Sequence, residues 1–240
     1  MTETPASALS RIGWRGEIPA SDSGTDHRRI ARVVAQHRAG YELHDGEHAF
    51  TAQPAPRFLK PGIDPGDRPA VGDFVWISNA VPPTIEQVLP RRSTLSRSAA
   101  GERHLRQVIA TNIDTVMVVC GLDGDFNPAR IERYFVLIEG SGAKAVAVLT
   151  KADLAADAQA MTEQLKARMP AGTEIHAINA KTGFGVDALL AHLGPGSSTV
   201  LVGSSGAGKS TLTNTLLGEA RQSTQAVRAN DSRGRHTTTY

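Results

Sequence analysis

Gly203-Ser204-Ser205-Gly206-Ala207-Gly208-Lys209-Ser210 decides the fold, because it fills every position of the pattern GxxxxGK[ST]. The apolar run Thr199-Val200-Leu201-Val202 precedes it and the helical run Thr211-Leu212-Thr213-Asn214-Thr215-Leu216-Leu217 follows, which is the strand, loop and helix context the pattern requires. Glycines let successive N–H groups turn inward as an anion nest, and the helix that follows adds its positive end. A triphosphate is the natural guest, lying against Gly203, Ser204, Ser205, Gly206, Ala207, Gly208, Lys209, Ser210 and Thr211. Lys209 is positioned to neutralise the β and γ phosphates, and the Ser210 hydroxyl to ligate Mg²⁺.

Upstream, β-type runs alternate with helical segments. The runs are Ile113 to Val119, Ala145 to Leu149 and Glu174 to Ile178, and the helices lie near Pro128 to Glu139, Ala155 to Met169 and Val186 to His192. Near-continuous apolar strands in this alternation predict an α/β domain, a parallel sheet covered by helices. Two of its strands run into short polar loops, where open α/β sheets place ligands. In Thr150-Lys151-Ala152-Asp153 the carboxylate of Asp153 suits the guanine N1–H and 2-amino donors, a pair adenine lacks, while the Lys151 stem suits the ring face. A plain solvated turn reads the same way. Ile178-Asn179-Ala180-Lys181-Thr182-Gly183 offers the Ala180 N–H to guanine O6 and is equally short.

Nearer the N-terminus the pattern changes. Between Arg29 and Leu89 lie Ile30-Ala31-Arg32-Val33-Val34, Gly40-Tyr41-Glu42-Leu43, His48-Ala49-Phe50-Thr51 and Asp73-Phe74-Val75-Trp76-Ile77, separated by Asp45-Gly46, Pro61-Gly62 and Pro65-Gly66. About five short strands predict a small all-β barrel of the OB type over residues 26–90, either nucleic-acid-binding or a bare scaffold. Tyr41, Phe50, Phe74 and Trp76 suit base stacking or barrel core. Residues 91–106 carry Arg91, Arg92, Arg97, Arg103 and Arg106 against Glu102 and read as a basic linker, with Arg91, Arg92 and Arg97 as candidate RNA contacts. A charge run of this kind is also an ordinary solvated face. Residues 1–25 read as a flexible tail in which Ile12-Gly13-Trp14 could dock as an apolar clip, and residues 107–240 read as the α/β domain.

Composition narrows the classes. With 240 residues, 40% apolar, and 26 Lys and Arg against 24 Asp and Glu, fibrous and wholly disordered chains are excluded. One cysteine, Cys120, builds neither an internal disulfide nor a CxxC metal knuckle. Met1 to Trp14 has no basic start followed by an apolar stretch, and no run approaches the roughly 20 apolar residues of a membrane span, so a cytoplasmic protein with no membrane partner is expected.

The order of the loops carries further information. Those at 150–153, 178–183 and 203–211 resemble the G4, G5 and G1 motifs of GTPases, with G4 and G5 ahead of G1, as in a circularly permuted GTPase. Pro69-Ala70-Val71-Gly72-Asp73, Gln107-Val108-Ile109-Ala110-Thr111-Asn112, Asp125-Phe126-Asn127-Pro128, Arg130-Ile131-Glu132-Arg133-Tyr134 and Gly234-Arg235-His236-Thr237-Thr238-Thr239 extend the match. From about residue 27 onward the chain resembles the bacterial RsgA/YjeQ family of ribosome small-subunit-dependent GTPases. That resemblance implies a monomeric enzyme that binds the 30S subunit and its 16S rRNA, acts late in its assembly and hydrolyses GTP to GDP with ribosome-stimulated turnover.

Carried over residue by residue, Thr150, Lys151 and Asp153 fall on G4, Asn179, Ala180 and Lys181 on G5, Gly203 to Thr211 on G1, and Thr237 to Thr239 on G2. Mg²⁺ falls to Ser210 and Thr238, and catalysis to Lys209 and His236, the latter either orienting water or being an exposed loop histidine. Thr150 stands where Asn is usual, giving up a bracing amide, and Asn179 stands where Ser is usual. No DxxG (G3) element follows G2, and the family's Cys/His zinc site belongs to a C-terminal domain that one cysteine cannot build, so an N-terminal fragment poor in hydrolysis is expected. Two other readings remain open here: an RNA-binding scaffold with a non-cycling nucleotide site, and a P-loop ATPase of other purpose.

Overall fold

A computed structural model describes residues 5–16, 28–98 and 106–218. The chain divides into two compact units, Met1–Asp114 with Gly194–Ser198, and Thr115–Leu193 with Thr199–Tyr240.

In the first unit, β1 (Arg28–His37), β2 (Gly40–His44), β3 (Ala49–Pro54), β4 (Phe74–Ser78) and β5 (Thr84–Val88) close a barrel in the order β1-β2-β3-β5-β4. All neighbours are antiparallel except β3 and β5, the strand order of an OB-type barrel. Alternation fills it, since Ala31, Val33, Leu43, Val75, Ile77 and Ile85 all point inward and are buried. Each of the larger ones contributes roughly 1.5–3 kcal/mol by leaving water. β5 has no counterpart among the quoted sequence runs, because Glu86 and Gln87 break its apolar pattern.

β4 is buried on both faces. Its outward residues Phe74 and Trp76 cluster with Leu9, Ile30 and Leu89, and Ile12 and Trp14 pack against them. Leu9 belongs to α1 (Pro5–Arg11), a helix within the stretch read as a tail. Trp14 meets Phe74 edge-on at 4.9 Å between ring centroids. Tyr41 is in the barrel core and Phe50 lies under the Arg29 guanidinium, so these four aromatics serve packing rather than base stacking.

Part of the stretch read as a basic linker is strand. β6 (Thr94–Ser98) pairs antiparallel with β7 (Arg106–Thr111), because Leu95 and Ala110 have an apolar face to bury. Arg91 also departs from the RNA-contact expectation. Its Nε and Nη2 grip the fully buried Asp73 carboxylate at 2.7 Å each, while Nη1 and Nη2 donate to the carbonyls of Gly66 and Arg68. Thr111 Oγ1 and the Ala70 N–H complete the shell of Asp73 at 2.7 and 2.8 Å. Its guanidinium is committed inside the barrel unit, which corrects its assignment to RNA. Arg92 lies 3.4 Å from Asp114 and is 37% exposed, and Arg97 is exposed with Nε on Gln107.

In the second unit, β8 (Thr115–Gly121), β9 (Lys144–Thr150), β10 (Glu174–Ala177) and β11 (Thr199–Val202) form an all-parallel sheet in the order β10-β9-β8-β11. α2 (Pro128–Glu139), α3 (Ala158–Lys166) and α4 (Lys209–Leu217) provide its helices. Asn127 and Asp157 cap α2 and α3 by accepting from the N–H groups of Arg130 and Ala160 at 2.9 and 2.8 Å. Val186–His192 is a 3₁₀ turn rather than an α-helix, being hemmed in by Gly185 and Gly194-Pro195. Met117, Val119, Val146, Val148, Ile178, Leu189 and Leu212 form the core. Among the described residues no helix is long and apolar enough to cross a membrane.

Candidate functional site

The carboxyl ends of the parallel strands gather four loops. β11 delivers the first through Gly203, whose φ is +149° and whose absent Cβ would lie 2.1 Å from the Val119 carbonyl oxygen, so only glycine passes here. Gly208, at φ +93°, turns the loop into α4, and a Cβ there would meet Thr150 Oγ1 at 3.2 Å. Ala207 and Leu212 anchor the loop and helix in the core. The first N–H groups of α4 have no partners within the helix, which leaves donors for an anion.

Lys209 folds back over this loop. Its Nζ donates to the carbonyls of Gly203 and Ser204 at 3.0 and 2.7 Å, and burial lowers its pKa against the opposing pull of Asp125. Ser204 Oγ donates to Asp125 Oδ2 at 2.6 Å, and the other Asp125 oxygen receives Arg130 Nη2 at 2.6 Å. Cys120 lies beneath this network, and burial first, then the Asp125 charge, raises its thiol pKa. Ser210 Oγ makes no hydrogen bond among the described residues, and a hydroxyl suits a hard divalent cation.

The other loops are fastened to the first. Thr150, 1% exposed, donates through Oγ1 to the Ala207 carbonyl at 2.5 Å. The bracing expected to be given up with an amide is thus supplied by a hydroxyl. Lys151 takes a left-handed backbone, φ +58°, and its Nζ reaches Asp123 Oδ2 at 2.6 Å. Burial pushes the Asp123 carboxyl up, but the hydrogen bonds from Lys151 and the Asp125 N–H, together with the Lys151 charge, outweigh it and leave the pKa lowered. Asp153 sits exposed in the 3₁₀ turn Ala152–Leu154, its carboxylate free of hydrogen bonds among the described residues.

The loop after β10 closes on itself and on its neighbours. Asn179 Oδ1 accepts from the N–H groups of Lys181 and Thr182 at 2.9 and 3.3 Å, a brace that its longer side chain provides. The Ala152 N–H donates to the Ile178 carbonyl at 3.1 Å, and the Ala180 carbonyl accepts from Thr215 Oγ1 of α4. Lys181 is exposed at the rim.

Thr150, Lys151, Asp153, Asn179 to Lys181 and Gly203 to Thr211 therefore share one end of one sheet. His236 and Thr238 lie outside the described residues, as do Thr237 and Thr239. Asp123, Asp125 and Arg130 were assigned no role from the sequence. The signal available was a pair of aspartates just past the β8 run, where ligand loops belong.

Residues 88–240 match the model of a protein family described as RsgA GTPase. The small ribosomal subunit biogenesis GTPase RsgA of Xanthomonas campestris pv. campestris (strain B100) is 50% identical over 243 residues, covering 97% of this chain and 65% of the relative. Its counterpart from Xanthomonas axonopodis pv. citri (strain 306) is 53% identical with the same coverage. The chain thus spans 65% of the length of these curated relatives. The crystal structure of YjeQ from Thermotoga maritima matches with a TM-score of 0.62 and 25% identity, over 79% of this chain and 65% of that one. YloQ, described as a circularly permuted GTPase, matches in fold with a TM-score of 0.56 and 21% identity, over 81% and 66%.

Proposed function

The chain belongs to the RsgA GTPase family, and on that premise we propose that it is a GTP hydrolase acting in the biogenesis of the small ribosomal subunit. One observation carries the reading: the base-side loop and the phosphate loop are joined at a single hydrogen bond, Thr150 Oγ1 to the Ala207 carbonyl, at the carboxyl end of one parallel sheet. Asp153 accepts from guanine N1–H and the 2-amino group, and the Ala180 N–H donates to O6. Lys151, tethered to Asp123, lays its stem along the ring face. The N–H groups of Gly203 to Ser210 hold the phosphates, and Lys209 exchanges two carbonyl oxygens for phosphate oxygens when nucleotide enters.

Water attacks the γ-phosphorus, the bond to the β–γ bridging oxygen breaks, and GDP and phosphate leave. Ser210 and Thr238 would hold Mg²⁺, which would supply neutralisation of the charge that develops on the phosphates. His236 is assigned to orient the water. The protein works as a cytoplasmic monomer without a membrane, and Arg92 and Arg97 meet the phosphates of 16S rRNA from the barrel unit. Ribosome-stimulated turnover follows where the subunit sets His236 and Thr238 against the γ-phosphate.

The test is GTP hydrolysis by the chain extended to its relatives' length, alone and with purified small or large subunits. Stimulation by small subunits only, lost in Lys209→Ala, is expected. Equal affinity for ATP and GTP, unaltered by Asp153→Asn, would sink the guanine assignment, and an unchanged rate with either subunit would remove the ribosomal one.

A further inference from the structure

At the amino ends of the strands, away from the phosphate loop, a second polar cluster stands on the outer strand. Glu174 and His176 are two residues apart on β10 and so leave the same face of it. His192, last residue of the 3₁₀ turn, reaches the same place, its carbonyl accepting from Thr199 Oγ1 at 2.8 Å. The Glu174 carboxylate divides its oxygens: Oε1 takes Lys144 Nζ at 2.5 Å, and Oε2 faces His192 Nε2 at 2.9 Å and His176 Nε2 at 3.9 Å. One ligand atom from each of the three residues lies within 4.8 Å of the others. The His192 side chain is only 10% exposed. His176 Nε2 is buried and makes no hydrogen bond.

An imidazole nitrogen without a hydrogen bond thus lies 3.9 Å from a carboxylate oxygen that a second imidazole approaches at 2.9 Å, a set of three ligand atoms of the kind that a metal ion draws together. We propose that Glu174, His176 and His192 bind a divalent transition-metal ion of the zinc type, pinning the outer strand to the turn that precedes β11. Zinc bonds to imidazole and carboxylate are about 2.0–2.2 Å long, so ligand atoms of a tetrahedral site stand roughly 3.3–3.5 Å apart. The two spacings to Oε2, 2.9 and 3.9 Å, fall either side of that value. Lys144 holds the carboxylate from behind, as outer partners of metal ligands do. Two imidazoles and one carboxylate favour zinc, nickel or copper over Mg²⁺ and Ca²⁺, which prefer oxygen throughout. The fourth position falls to water.

The experiment uses the untagged 240-residue chain. After chelator treatment it is titrated with Zn²⁺ by calorimetry, and in parallel with Co²⁺ by visible absorption. One ion per chain is expected, with His176→Ala and His192→Ala each weakening it at least about tenfold. The visible bands of four-coordinate cobalt should disappear in both variants, while His48→Ala leaves binding unchanged. Absence of stoichiometric binding would overturn the proposal and leave an ordinary His–Glu pair. So would binding that persists in the His176→Ala/His192→Ala double variant, or that is lost in His48→Ala. Circular dichroism accompanies each variant; if His192→Ala fails to fold, the conservative Glu174→Gln and His176→Gln variants decide.

Discussion

Asp73 in the barrel unit and Lys209 at the sheet edge are both charges withdrawn from water, and they are satisfied in opposite ways. Asp73 receives Arg91 twice, Thr111 and a backbone N–H, all fixed by the fold and none replaceable by a ligand. Lys209 rests on two carbonyls of its own loop, and burial already disfavours its charge. A saturated charge holds architecture together. A charge resting on weak, exchangeable acceptors is available to an anion that offers better ones, so the partners of a buried charge say more about what it can do than its burial does.

The sharpest way to break this contrast is Asp73→Ala. It strands Arg91 and should cost about 3 kcal/mol or more of stability, read by denaturant unfolding of the barrel unit, with nucleotide affinity per folded molecule unchanged. A small loss there would mean that Arg91 finds water easily and that the pair is no architectural element. Lys209→Ala should do the reverse, costing about 3 kcal/mol of GTP affinity, roughly a hundredfold, by calorimetry, without lowering the unfolding midpoint. Thr150→Val tests the boundary between the classes. Its hydroxyl is buried like the barrel's polar groups yet touches the phosphate loop, so stability and affinity should each fall, by about 1–2 kcal/mol in stability.

The smallest effect belongs to the partly exposed Lys151–Asp123 pair. Because the Asp123 pKa is lowered in the folded state, its contribution is present above the ordinary aspartate value of 3.8 and is lost as pH falls through the folded value. Comparing unfolding midpoints at neutral and acid pH should show a steeper acid loss in the parent than in Lys151→Ala, by under about 1 kcal/mol. An identical acid dependence in both would remove the pair from the stability of the loop.

The sheet was legible because its information is local. The apolar runs of β8 and β9, the Asn127-Pro128 start of α2 and the glycine pattern ahead of α4 each announce themselves within a few residues. The base-side and phosphate loops were legible for the same reason. Elements defined by distant partners were not. β6 sits in a stretch whose arginines dominate any reading of composition, and its pairing with β7 is a tertiary fact. α1 is recognisable only once Phe74 and Trp76 are seen to turn outward from a barrel that Val75 and Ile77 already fill. Arg91 is indistinguishable from Arg92 and Arg97 until Asp73 is found beside it. Asp125 meets Ser204 across 79 positions of chain, a separation no motif spans.

The hydrogen bond between Thr150 and Ala207 joins loops 57 positions apart, and so it sets an order of events during synthesis. β8, β9 and β10, with the helices between them, leave the ribosome before β11 and the phosphate loop exist. Because chains fold from the end made first, β8 to β10 and their loops can assemble while the glycine-rich loop after β11 is still being translated. On the proposed function, nucleotide binding is therefore gained late and in a single step, when residue 207 arrives to accept from a threonine already in place.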